Sequence, residues 1–207
     1  MSNPEQPLNG GQPEQVRIQH VTARVPDQVS RGAFSTGVIV MTGATEFILD
    51  FVQNIGGPPA VVTRVVMPHG TLPQFADALR KNLEMFTQRF GPPPVLPKGP
   101  PPAKPQTAQE IYDELKIPDQ VLSGSYANGV MIGHTASEFK LDFLSNLFPH
   151  SAVSARVFLS SPQVPRLLES LDSTWVQFQQ RVRQQQPPQQ PPRNPPPTSW
   201  SSEDQLG

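Results

Sequence analysis

The chain repeats itself at an offset of 92 residues. The sequence Pro-Asp-Gln-Val at residues 26–29 recurs at residues 118–121, and the two stretches then align without a gap to about Phe90 and Val182. Roughly 23 of the 66 aligned positions are identical, whereas unrelated segments would share only a handful. The chain is therefore a duplication, and any fold proposed for one copy must also serve the other.

The segments outside the two copies differ from them in composition. The chain has 27 prolines in 207 residues, far above the usual share of about 5%. The sequence between the copies favours an extended polyproline segment that acts as a semi-rigid spacer, although its Pro-x-x-Pro spacing also suits aromatic grooves. We expect a disordered N-terminal tail (1–14), a first β-α module (15–91), a proline-rich linker (92–106), a second β-α module (107–183) and a disordered Pro/Gln-rich tail (184–207).

Each copy contains three strand-like runs followed by one helix. The first run is rich in β-branched residues (34–42 and 126–135), the second alternates apolar and polar residues (46–51 and 138–143), and the third covers 60–67 and 152–159. Apolar residues then recur every three or four positions, which predicts an amphipathic helix. They are Leu72, Phe75, Ala76, Leu79, Leu83, Phe86 and Phe90 in the first copy, and Val164, Leu167, Leu168, Leu171, Trp175, Phe178 and Val182 in the second.

This pattern predicts an α+β fold of two tandem modules, each a small antiparallel sheet of about three to four strands followed by one long amphipathic helix. A core of one sheet face and one helix is marginal for about 70 residues. We therefore expect the modules to pair with pseudo-twofold symmetry, and each module expressed alone to be unstable or homodimeric. The segments just before Pro26 and Pro118 differ, since the first alternates like a strand and the second has a Thr-x-x-Glu capping box typical of a helix.

The motifs of the second copy resemble a known family. The stretches YANGVMIGHTASEFKLDF and SARVFLSSPQVPRLLESL are similar to a small bacterial and archaeal domain family of unknown function. Its members carry a Tyr-x-Asn strand, a Glu-Phe-x-Leu-Asp-Phe strand, an Ala-Arg-Val strand with Ser-Pro, and a closing helix. The first copy departs from this pattern at Phe34, at Thr36 and at residues 68–70. The resemblance implies two tandem copies of the fold and no chemistry.

One set of charged residues is present in both copies and is the candidate binding face. Two carboxylates four positions apart on a strand share a face but lie about 13 Å apart, too far for a typical catalytic carboxylate pair. An arginine on the neighbouring strand is placed to pair with one of them across the sheet. The simplest interpretation is a solvated face with a cross-strand ion pair, and the alternative is a surface for a partner. The candidates are Glu46, Asp50, Arg64, Glu138, Asp142 and Arg156, together with Tyr126 and Asn128 of the family-like strand.

The residues of the chain predict neither catalysis nor a metal or cofactor site. There is no cysteine, so disulfides and thiolate chemistry are excluded. The four histidines, His20, His69, His134 and His150, lack the spacing of metal ligands. No Gly-x-Ser-x-Gly nucleophile motif and no glycine-rich phosphate loop is present. We therefore expect no catalytic residue, no metal and no cofactor.

A binding role follows from these exclusions. The formal net charge of −1 gives no general attraction to nucleic acid or membranes, and the polar N-terminus has no signal peptide pattern, which favours a cytoplasmic location. We expect a non-enzymatic binding or assembly protein that pairs with itself, through its modules or as a homo-oligomer, or with another protein. The alternative is a single-stranded nucleic-acid-binding protein that stacks bases on Tyr126, Phe34 or Phe158, although no stripe of lysine and arginine is present to meet the phosphates.

Overall fold

The computed structural model describes residues 23–97 and 107–185. The first module comprises helix α1 (Asp27–Ser30), strands β1 (Ala33–Ser35), β2 (Gly37–Thr42), β3 (Glu46–Gln53) and β4 (Ala60–Pro68), and the long helix α2 (Thr71–Phe90). The second module comprises α3 (Ala108–Asp113), α4 (Asp119–Leu122), β5 (Ser125–Tyr126), β6 (Gly129–His134), β7 (Glu138–Leu147), β8 (His150–Ser160), a 3₁₀ turn (Ser161–Gln163) and the long helix α5 (Val164–Gln185). The predicted α+β class in two modules is confirmed.

The two long helices end near the last residues of their apolar patterns. Helix α2 ends at Gly91, whose φ of 86° lies in the left-handed region that favours glycine. Helix α5 runs to Gln185, two residues past the predicted end of the second module at 183. The first expected tail lies outside the described residues, as do the second tail beyond Gln185, most of the linker, and most of the strand expected before Pro26. No helix in the described part of the chain is long and apolar enough to cross a membrane.

Each sheet is completed by a strand from the other module. In the first sheet the order is β2-β3-β4-β5, and in the second it is β6-β7-β8-β1. The three long strands of each sheet are antiparallel, as predicted, but β5 runs parallel to β4 and β1 runs parallel to β8. The single strand predicted at 34–42 therefore breaks at Thr36, and its first part leaves its own module. Ser35 lies at this change of sheet, and its hydroxyl oxygen is 2.7 Å from the carbonyl oxygen of Gly37 and 2.9 Å from that of Val52.

The exchange involves a longer segment than the short strand, which we call the arm (residues 24–35 in the first module and 116–127 in the second). Arg24 pairs with Ala152 of the second module, and its counterpart Lys116 pairs with Ala60 of the first. Helix α1 then packs against β8, and α4 packs against β4. Each arm therefore follows the last strand of the other module's sheet and covers what would otherwise be an open sheet edge.

The long helices are exchanged as well. Helix α2 packs on β6 and β7 of the second module, where the rings of Phe86 and Phe139 lie 5.2 Å apart. Helix α5 packs on β2 and β3 of the first module, where Trp175 meets the edge of Phe47 at 6.4 Å. Trp175 therefore makes a contact that joins a helix to a sheet and one module to the other. The apolar side chains form a single core shared by the two modules.

Two contacts mark the pseudo-twofold axis, because a residue and its counterpart 92 positions later can touch only near that axis. The rings of Phe51 and Phe143 lie 5.5 Å apart in the core. Between the long helices, Arg80 lies 2.9 Å from Asp172. The predicted pairing with pseudo-twofold symmetry is therefore confirmed, and it takes the form of an exchange of arms and helices.

Candidate binding surface

The candidate charged residues form one buried ion pair in each module. Asp50 on β3 lies directly opposite Arg64 on β4, with Arg64 Nε 2.7 Å from Oδ1 and Nη2 2.8 Å from Oδ2. Asp142 and Arg156 repeat this geometry at 2.6 and 3.0 Å. The predicted cross-strand pairing is confirmed. The expectation of a solvated face is wrong for these residues, since Asp50 is 0% and Asp142 2% exposed.

Each arginine also holds the arm of the other module. Arg64 Nη1 donates to the carbonyl oxygen of Leu122, the last residue of α4, and Arg156 Nη1 donates to that of Ser30, the last residue of α1, both at 3.0 Å. Carbonyl groups at a helix C-terminus lack partners within the helix, and a positive charge is favourable there. The Asp–Arg pairs therefore join the sheet of one module to the arm of the other.

Glycine is required where each arm passes its arginine. Gly32 and Gly124 have φ values of 65° and 72°, which side chains other than glycine rarely adopt. A Cβ on Gly32 would lie 2.7 Å from Cγ of Arg156, and one on Gly124 would lie 2.9 Å from Cγ of Arg64. Both copies carry glycine at this position, and this shared glycine is the signal in the sequence for the crossing of the arms.

Beside its arginine, each aspartate has a second partner among the described residues, and this partner differs between the modules. The hydroxyl of Tyr112, on α3, donates to Oδ2 of Asp50. Burial, and then the Asp50 carboxylate, raise the pKa of Tyr112, so that it remains a protonated donor. In the second module Lys140 Nζ lies 3.2 Å from Oδ2 of Asp142. The hydrogen bond to Asp50 raises the pKa of Arg64 despite its partial burial.

The remaining charged candidates do not join these pairs. Glu46 accepts hydrogen bonds from the hydroxyl and backbone N–H of Thr45, which lower the pKa of its carboxyl group. Glu138 is exposed. Asn128 holds the start of β6 to β7, because its Oδ1 accepts a hydrogen bond from the backbone N–H of Asn146 at 2.8 Å. The eight candidates are therefore spread over several local environments rather than one shared face.

The aromatic residues of the arms lie on the outer faces of the sheets, opposite the core. Phe34 on β1 and its counterpart Tyr126 on β5 are 39% and 44% exposed. Phe34 lies opposite Phe158, and Phe158 lies opposite Lys140, so the three share one face of the second sheet. We call this surface, with Met131, the outer face of the second sheet. On the first sheet Tyr126 lies opposite Val66.

A cleft of about 320 Å³ lies between the two arms, at the pseudo-twofold axis. Its walls are formed by counterparts from the two modules, which are Gln28 and Gln120, Val29 and Val121, Gly32 and Gly124, and Arg64 and Arg156. The two Asp–Arg pairs therefore border one cavity instead of two separate sites.

The histidines do not form a metal site in the part of the chain that the structure describes, where no group of three metal-ligating side chains is found. His134 packs against Phe86 and Phe139 at 5.7 and 5.2 Å. His69 packs against Phe178 at 4.2 Å. His150 is exposed at the start of β8, and His20 lies outside the described residues.

The fold and these contacts define a class of protein, a tandem β-α pseudo-dimer whose two modules are intertwined through exchanged arms and helices. The chain belongs to the family described as protein of unknown function (DUF3467), whose model matches residues 1–92 and 98–184. The resemblance found in the second copy is thereby confirmed, and it extends to the first. A search of curated proteins finds no significant match.

Proposed function

We propose that the chain is a non-enzymatic binding protein that holds a partner protein on the outer face of its second sheet. The observation that carries this proposal is the exposure of Phe34, on an arm, and of Met131, on an edge strand, which are 39% and 37% exposed. The two residues lie on the two edge strands of the same face, with Phe158 of β8 between them, and large apolar side chains exposed on a surface are typical of interaction sites. The exchange of arms supports the proposal, because it presents Phe34 on a well-supported strand.

The charges on this face indicate the chemistry of the partner. Asp142 is buried and already holds both Arg156 and Lys140. The side chain of Lys140 is 42% exposed, and the exposed Glu138 lies two residues earlier on the same face of β7, so the face presents a positive charge at Lys140 and a negative charge at Glu138. An extended segment of a partner protein with apolar side chains and a carboxylate complements such a face, with the aromatic residues providing most of the binding free energy.

Phe34→Ser tests this proposal, with Phe148→Ser as the matched control. Phe148 is 100% exposed at the turn between β7 and β8, away from the outer face. Tagged full-length proteins would capture partners from a nuclease-treated lysate, and a captured protein would then be purified and titrated. We expect Phe34→Ser to weaken binding roughly 30-fold, as for a residue at the centre of an interface, and Phe148→Ser to bind like the parent protein. Equal affinity of the parent and Phe34→Ser would contradict the proposal.

Single-stranded nucleic-acid binding is the second candidate, favoured by the pairing of Phe34 with Phe158 next to Lys140. Aromatic residues on a sheet that stack bases, with a cation near the phosphates, are typical of such proteins. A mobility-shift titration with single-stranded oligonucleotides would then show binding at low salt that is lost at moderate salt and in Phe34→Ser. If no shift is seen at low salt, nucleic-acid binding is refuted, and the proposal of a protein partner is unaffected.

A further inference from the structure

The cleft at the pseudo-twofold axis is a candidate ligand site that is separate from the outer faces of the sheets. Its volume of about 320 Å³ falls at the lower end of the range for small-molecule sites. Three arginines line it, Arg31, Arg64 and Arg156, and no carboxylate is among its lining residues in the described part of the chain. Since Asp50 and Asp142 lie behind two of these arginines, the positive charge of Arg31 remains uncompensated at the cleft.

The two paired arginines keep hydrogen-bond donors for the cleft. A guanidinium group has five N–H donors. Arg64 directs three of them to Asp50 and to the carbonyl oxygen of Leu122, and Arg156 distributes three in the same way. Both side chains are 15% exposed and both line the cleft, so their remaining donors are available to an acceptor bound there.

We propose that the axial cleft binds a small anion that carries a phosphate or carboxylate group. Arg31 supplies the charge, and the remaining N–H donors of Arg64 and Arg156 supply geometry, since a planar guanidinium matches both kinds of anion. Ser125 and Thr63 line the same cavity and add hydroxyl groups. Because both arms form its walls, the anion contacts the two modules together, and its binding stabilises the exchanged arrangement.

The test uses the full chain with inorganic phosphate, pyrophosphate and succinate as probes. Calorimetric titration and thermal unfolding would be compared with chloride at the same pH and ionic strength, because a general salt effect acts without saturation. We expect at least one probe to bind saturably and to raise the unfolding midpoint with the logarithm of its concentration. The ranking of the phosphates against succinate shows which group the cleft prefers.

Arg31→Ser locates the site. It installs the residue that the second module has at the matching position, Ser123, and Arg31 makes none of the contacts of the Asp–Arg pairs. We expect it to weaken the best probe at least tenfold, whereas Arg181→Gln, which removes an exposed arginine of α5, binds like the parent chain. Ser154→Val, which gives the lining residue its counterpart Val62, should also weaken binding. The proposal would be overturned if no probe bound saturably, or if Arg31→Ser bound the best probe as tightly as the parent chain does. Phe34→Ser, which tests the outer face, should leave anion binding unchanged, so the two proposals can fail separately.

Discussion

The contact between Arg80 and Asp172 predicts which modules pair with each other. The two residues occupy the same position of the repeat and meet on the pseudo-twofold axis, with Arg80 Nη2 at 2.9 and 3.0 Å from the two carboxylate oxygens of Asp172. In a pair of two first modules, arginine would face arginine at this point. In a pair of two second modules, aspartate would face aspartate. The ion pair therefore favours the association of unlike modules, which is the arrangement that one chain contains.

The size of the effect follows from the exposure of the two side chains. They are 41% and 49% exposed, and ion pairs of this kind contribute about 0.2–1 kcal/mol. Arg80→Asp replaces this attraction with a repulsion of similar size, so we expect a loss of about 1–2 kcal/mol in the free energy of unfolding. Asp172→Arg should cost a similar amount. The double variant restores opposite charges, and Glu169 then lies three positions before the new arginine, as Asp77 now lies before Arg80.

A double-mutant cycle measured by urea unfolding of the full chain tests this reasoning. We expect the double variant to recover most of the stability that the two single variants lose, and the coupling to shrink in high salt, because exposed charges are screened. Lys81→Asp, the same charge reversal on the exposed neighbour of Arg80, controls for the change in net charge. If the two single effects add to within about 0.5 kcal/mol, the axial contact carries no preference between modules.

Two further predictions concern the Asp50 network. Asp50→Asn leaves Arg64 without its buried counter-charge and should cost about 3–5 kcal/mol in urea unfolding; a loss below about 1 kcal/mol would show that Asp50 does not hold the arm through Arg64. Tyr112→Phe tests the raised pKa of Tyr112. A folded-state pKa above the unfolded value of about 10 gives stability that is complete below pH 10 and is lost as the pH rises through the folded pKa. Unfolding measured from pH 8 to 11 should therefore show a steeper decline for the parent than for Tyr112→Phe, and parallel declines would contradict the raised pKa.

The long strands and the closing helices could be predicted from the sequence, because each leaves a local periodic signal that occurs twice. The pairing could be predicted because one copy alone is too small for a stable core. Phe47, Leu49 and Phe51 alternate with polar residues, and all three are buried with 0% exposure. A periodic pattern shows which face of a strand is buried but not which module covers it. The exchange of arms therefore could not be predicted from residues 34–42. Their pattern is that of one continuous strand, although β1 and β2 belong to different sheets.

The Asp–Arg pairing could be predicted as well, but its burial could not. Asp50 and Arg64 recur 92 residues later with the same separation of 14 residues, which indicates a shared cross-strand contact. Alternation placed Asp50 on the face opposite the core, and that face is ordinarily exposed to water. It is covered by the arm of the second module and by Tyr112, both of which come from beyond the proline-rich linker and leave no signal near Asp50.

The two copies have the same residues at positions that hold the exchanged arms and different residues at positions on the outer faces of the sheets. The positions that hold it are identical, namely the aspartate and arginine of each pair and the glycine of each arm. On the outer faces the copies differ, since Lys140 and Phe158 of the second sheet stand where the first sheet has Ile48 and Val66. A duplication kept only for stability has no need of a cation and an added aromatic ring on one face alone. This difference falls on the face that we propose to hold a partner, so we infer that the two sheets share a scaffold and differ in the surface that they present to a partner.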